Sequence, residues 1–165
     1  MQSRRSIPSS FLNQGSVLEI SGKASVQAQP DAVGRVLSDP VLLQRSLPGC
    51  RSLEPDGEGY RIEISIGVAA VRGTYMGSIR VLRHDPGQRF DFELSLEAPR
   101  GFVEARVKTS FTPLPQGTEI AYTAESELGG PLAALGQRVA AGVATMLVRQ
   151  FCDGLGREAQ ALHQG

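Results

Sequence analysis

Apolar and polar positions alternate along most of the chain. In VLEISGKASVQA the apolar or small set Leu18, Ile20, Gly22, Ala24 and Val26 is interleaved with Glu19, Ser21, Lys23, Ser25 and Gln27, the period of a strand with one buried face. The pattern returns in GYRIEISIGVAA (Tyr60, Ile62, Ile64, Ile66), TYMGSIRVLR (Tyr75, Gly77, Ile79, Val81) and RFDFELSLE (Phe90, Phe92, Leu94, Leu96). It returns again in FVEARVKTSF (Val103, Ala105, Val107, Thr109) and TEIAYTAESEL (Ile120, Tyr122, Ala124, Ser126, Leu128). PDGEG, HDPGQ and PLPQG lie between these blocks and are dense in turn formers. Connections this short join antiparallel neighbours, so one meandering sheet is predicted.

Two stretches break the alternation. QPDAVGRVLSDPVLLQRSLPG offers one helix start at Pro30-Asp31 and a second at Asp39-Pro40, which predicts two short helices joined near Ser38. GGPLAALGQRVAAGVATMLVRQFCDGLGREAQAL places Leu132, Leu135, Val139, Val143, Met146, Leu147, Gln150, Phe151 and Leu155 at steps of three and four. This is the stripe of one long helix, entered at Pro131. Its glycines cost helix propensity, up to about 1 kcal/mol each, so tertiary contact must compensate. A one-sided antiparallel sheet needs a cover for its apolar face, and this helix is the only long candidate. The expected fold is α+β: a curved antiparallel sheet of about seven strands wrapped around a long C-terminal helix, with two short helices after the first strand. An internal apolar cavity is expected where inward residues are small, at Gly22, Gly77, Ala105 and Ala124.

Length and charge narrow the function. The chain has 165 residues, enough for one domain that buries about 70% of its unfolded surface; residues 16–163 are assigned to it and 1–15 to a flexible N-terminal segment. Lys plus Arg and Asp plus Glu number 17 each, so no electrostatic bias toward nucleic acid exists. The N-terminus lacks the apolar run of a secretory signal. VAAGVATMLV, at 139–148, falls short of the ~20 residues of a membrane-spanning helix. The expected location is the cytoplasm.

Candidate chemistry is sparse. Cys50 and Cys152 form neither a CxxC nor a metal spacing. DPVLLQRSLPGC raises the alternative of a reactive thiol at Cys50, activated by Arg45 or Arg51; without a nearby histidine, the favoured reading is a packing residue after a turn. His84 in the turn HDPG and His163 near the chain end read as surface residues. No HExxH, P-loop or dinucleotide fingerprint occurs. Tyr75, Thr109, Tyr122 and Ser126 are polar tips on apolar faces, able to bond to backbone or to orient a ligand.

The order of elements, with D-P-x-x-L-x-x-x-L-P-G-C at 39–50, VRGTYMGSIRV at 71–81 and SELGGPLAALGQRVAAGVATMLVRQF at 126–151, resembles the helix-grip superfamily of START-like lipid carriers, polyketide cyclases and pollen allergens. Within it, the chain resembles the G-subunit family of carbon monoxide dehydrogenase from about Val17 to Phe151. The resemblance implies a non-enzymatic accessory protein of a molybdenum hydroxylase, with an apolar cavity for an isoprenoid quinone or lipid, no covalently bound cofactor, and a peripheral contact with the inner face of the cytoplasmic membrane. Only GREAQALHQG follows Leu155, so no apolar tail is expected to act as an anchor. In such a fold the ligand contacts are expected to be Leu43, Leu47, Ile64, Ile66, Tyr75, Ile79, Phe92, Leu94, Val107, Tyr122, Leu135, Val139, Val143 and Met146, with Leu43, Leu47 and the Pro48-Gly49 turn forming a gate. No catalytic or metal-binding residue is expected. The competing readings are a cyclase or hydratase using Tyr75 or Tyr122 as acid, and a docking adaptor with a collapsed core.

Overall fold

The computed structural model describes residues 16–164; the N-terminal segment assigned to 1–15 lies outside the described residues. Seven strands, β1 (Ser16–Val26), β2 (Cys50–Asp56), β3 (Gly59–Ile66), β4 (Gly73–Asp85), β5 (Arg89–Ala98), β6 (Gly101–Leu114) and β7 (Gly117–Gly129), form one antiparallel sheet. The order is β1-β7-β6-β5-β4-β3-β2, so the first strand closes onto the last. The short helices α1 (Pro30–Ser38) and α2 (Pro40–Ser46) follow β1, and α3 (Gln137–Gln164) covers the sheet. This is the helix-grip arrangement anticipated from the alternation.

Local chemistry sets these boundaries. Asp39 ends α1 and caps α2, accepting from the N–H groups of Val41 at 2.9 Å and Leu42 at 3.3 Å, while Pro40 occupies a first-turn position where no N–H is needed. The long helix starts later than its sequence suggests. Gly130–Leu135 is a 3₁₀ segment, and Gly136 then takes φ +84°, a conformation that favours glycine and separates Leu132 and Leu135 from the α-helical stripe.

Close packing is concentrated at the far end of α3. A Cβ at Gly154 would lie 2.5 Å from the Ser46 carbonyl oxygen, so the glycine lets α3 touch the backbone of α2. Leu155 and Ala159 are fully buried beside it. Arg157 donates to the Arg45 carbonyl at 3.2 Å and Gln160 to the Gln27 carbonyl at 2.7 Å.

The sheet also departs from simple alternation. A bulge between Val81 and Arg83 shifts the phase of β4, so His84 is a half-buried strand residue rather than the surface turn residue expected. Its ring meets Phe90 edge-on, with centroids 5.0 Å apart, and Nε2 has no hydrogen bond. Burial lowers its pKa, with the Asp85 charge opposing. On the outer face of β7, Glu127 stands opposite Glu104 of β6 and Val17 of β1. It is buried, and among the described residues neither carboxylate oxygen has a hydrogen-bond partner; burial, reinforced by Glu104, raises its pKa above the ordinary 4.5.

Two sets of variants test this picture. Gly154→Val is expected to destabilise the fold by about 2 kcal/mol despite its better helix propensity, because the new side chain meets backbone. Gly142→Ala, where nothing lies within 4 Å, is expected to gain up to about 1 kcal/mol; thermal melts would separate the two. For Glu127 the folded state holds the proton more tightly than the unfolded chain, so stability falls as pH rises from 4.5 toward the raised folded value. Glu127→Gln should therefore melt higher at neutral pH, by an amount on the order of 1 kcal/mol, and this gain should fade in melts below pH 4.5.

Candidate ligand-binding cavity

The concave face of the sheet and α3, from Ala140 to Leu155, line a partly open cavity of about 310 Å³. Alternation along β5, β6 and β7 delivers Phe92, Leu94, Ala105, Val107 and Ala124 to its floor, and β1 adds Leu18 and Ile20. The helix supplies Ala140, Val143, Ala144, Leu147, Val148 and Phe151, a face repeating every three or four residues. Leu132 and Leu135 come from the 3₁₀ segment. Among the described residues the lining includes no Asp, Glu, His, Lys or Arg.

Among the described residues, four hydroxyls and one thiol are the polar side chains of the wall. Tyr75 donates to the Val71 carbonyl at 2.7 Å, and Ser126 to the Leu18 carbonyl at 3.0 Å. Thr109 donates to the Phe90 carbonyl at 3.0 Å and accepts from its N–H at 2.9 Å. Burial raises the Tyr75 pKa, with Arg100 acting in the opposite direction, and pushes the Cys152 thiol up to about 11, with Asp153 adding to the effect. Such a thiol is not an activated nucleophile. Cys50 lies outside the cavity wall; its Sγ donates to the Ser52 carbonyl at 3.3 Å, and burial raises its pKa. Arg45 pairs with Glu158 and Arg51 with Glu63.

Of the residues nominated from the sequence, Ile66, Tyr75, Phe92, Leu94, Val107, Tyr122, Leu135 and Val143 stand together in the wall. Six stand elsewhere. Leu43 and Leu47 pack in the core on a helix that is held against α3 and β2, and the Pro48-Gly49 turn is tied to β3 by the Ser65 N–H to Gly49 carbonyl bond at 2.8 Å. The expected gate is thus a packed brace. Ile64 and Ile79 are buried in the core toward the β2 side of the sheet, away from the hollow. Val139 is exposed and Met146 half-buried, because the cavity face of α3 is turned from the predicted stripe toward Ala140 and Ala144. Neither alanine is among the expected ligand contacts, although Ala140 sits one helical turn before Ala144 and next to Val139 in the predicted stripe.

The small-residue positions also divide. Ala105 and Ala124 line the hollow, whereas a Cβ at Gly77 would strike the Ser95 carbonyl oxygen, so Gly77 admits a neighbouring strand instead of opening space. Among the described residues no cluster of three or more His, Cys, Asp or Glu side chains could hold a metal. No helix among them is long and apolar enough to cross a membrane.

Comparison with known proteins agrees with this architecture. The family model of CoxG, the G subunit of carbon monoxide dehydrogenase, matches residues 22–160. A conserved protein from Geobacillus kaustophilus is 33% identical and superposes with a TM-score of 0.82 over 87% of this chain and 96% of its own. A START superfamily protein from Mycobacterium smegmatis, 13% identical, shares the fold with a TM-score of 0.65 over 87% of this chain and 98% of its own. A protein from Thermus thermophilus, 21% identical, does so with a TM-score of 0.63, covering 87% and 98%. No curated protein matches the sequence significantly.

Proposed function

The chain belongs to the CoxG family, the G subunits of carbon monoxide dehydrogenase, and from that premise we propose that it is a non-enzymatic carrier holding an isoprenoid quinone or a lipid in the cavity beneath α3. In this reading it serves a molybdenum hydroxylase of the carbon monoxide dehydrogenase type, helping the enzyme meet the inner face of the membrane and pass electrons to the respiratory chain. Family and START-like fold together suggest the coarser role, a ligand-binding accessory protein.

The observation that carries the proposal is the wall itself: about 310 Å³ of space lined mostly by aliphatic and aromatic side chains and, among the described residues, by no charged group. Pockets that take small molecules begin near this size and are mostly apolar with few polar groups. A cyclase or hydratase would need a proton donor and acceptor facing the substrate. The Tyr75 proton is directed at the Val71 carbonyl, and among the described residues the lining supplies no carboxylate or imidazole as its partner.

Gentle purification, native mass spectrometry and organic extraction test the carrier reading. A co-purified apolar molecule, or uptake of an added quinone or lipid, is expected; a clean apo mass with no uptake would overturn it. Ala140→Phe and Val143→Trp fill the hollow from the helix side and should weaken uptake by at least about tenfold, while the circular dichroism spectrum remains that of the folded domain.

A further inference from the structure

The four hydroxyls of the cavity are not equivalent. Tyr75, Thr109 and Ser126 all donate to backbone carbonyls of the chain. Tyr122 is the one wall hydroxyl, among the described residues, with no hydrogen bond to the protein. It stands between Gly22 of β1 and Thr109 of β6 in register. A Cβ at Gly22 would lie 2.8 Å from its oxygen, so the tyrosine tip lies over β1 in the space that the glycine leaves. A side chain at position 22 would displace it.

Tyr122 is half-buried, and a phenol at an apolar wall with no partner in the protein is a donor open to a ligand acceptor. Among the described residues that line the hollow none is a cation, and the Arg100 charge is felt only at the Tyr75 end; a carboxylate or phosphate placed beside Tyr122 would lose its hydration without a partner in the wall. We propose that Tyr122 is the ligand-orienting donor of this cavity and that it selects uncharged molecules, an apolar body carrying a carbonyl oxygen, over lipids that must bury an anionic head. The inference rests on the carrier reading and adds to it an orientation, with the ligand oxygen toward β1, and a chemical class.

Three probes on one ring skeleton test it: naphthalene bearing, at its second position, an acetyl, an ethyl or a carboxylate group. The chain contains no Trp, so naphthalene emission can be titrated without indole background. Tyr122→Phe should weaken the acetyl compound about three- to tenfold, the range of one neutral hydrogen bond, and change the ethyl compound by less than about twofold. Gly22→Ala keeps the hydroxyl but moves it, and should shift the same ratio in the same direction. The carboxylate should bind more weakly than the acetyl compound. If the ethyl compound binds while Tyr122→Phe holds the acetyl compound undiminished, the orienting role falls and the carrier reading stands. Carboxylate binding as tight as that of the ketone would overturn the selection of uncharged ligands. Failure of all three probes to bind wild-type protein would overturn both readings together.

Discussion

Gly154 is the point on which the architecture turns. With no side chain there, α3 reaches the backbone of α2 at Ser46, and Leu155 and Ala159 sink into the core beside the contact. The second half of the helix is thereby clamped between the short helices and β1. The first half cannot follow the sheet equally closely, because the sheet curves and floor positions such as Ala105 and Ala124 carry little bulk. A cavity results from one rigid helix that is tightly held at one end and lies over a concave surface at the other.

The hydrogen bonds of the wall then determine what that cavity can do. Three hydroxyls face backbone carbonyls, which satisfies groups that would otherwise be costly to bury and leaves a dry, apolar surface. Charge is kept on the other side of the sheet, where Arg106 and Arg80 both meet Glu93 and Arg61 meets Glu54. These exposed pairs contribute little to stability. Their consequence is one of position: alternate residues of the same strands carry charge outward and apolar bulk inward, so the strands that build a charged exterior also build an uncharged interior.

The two thiols illustrate how burial redirects chemistry. Cys152, a residue of α3, is packed in the wall, and Cys50 follows the Pro48-Gly49 turn; in both, loss of solvent favours the protonated form. The reactive-thiol reading of DPVLLQRSLPGC needed a cation nearby, and its two candidate arginines are engaged with Glu158 and Glu63. The segment is a brace: a capped helix turned by Gly49 at φ +74° into β2.

Period-two alternation by itself determined six of the seven strands and most of their inward faces, because side-chain direction in a strand follows from backbone geometry. For this reason Phe92, Leu94, Val107 and Tyr122 were legible as cavity residues. The extent of β2 and the pairing of β1 with β7 came only with the tertiary structure. Helical faces were less legible: a stripe of large residues pointed to Val139 and Met146, yet the packed helix presents Ala140 and Ala144 to the hollow. The bulge that turns His84 inward and the isolation of Glu127 also depend on neighbours far away in sequence. Whether an inward residue lines space or fills it, as Ala124 does the first and Ile64 the second, is decided by the distance to the opposite layer, which no local pattern encodes.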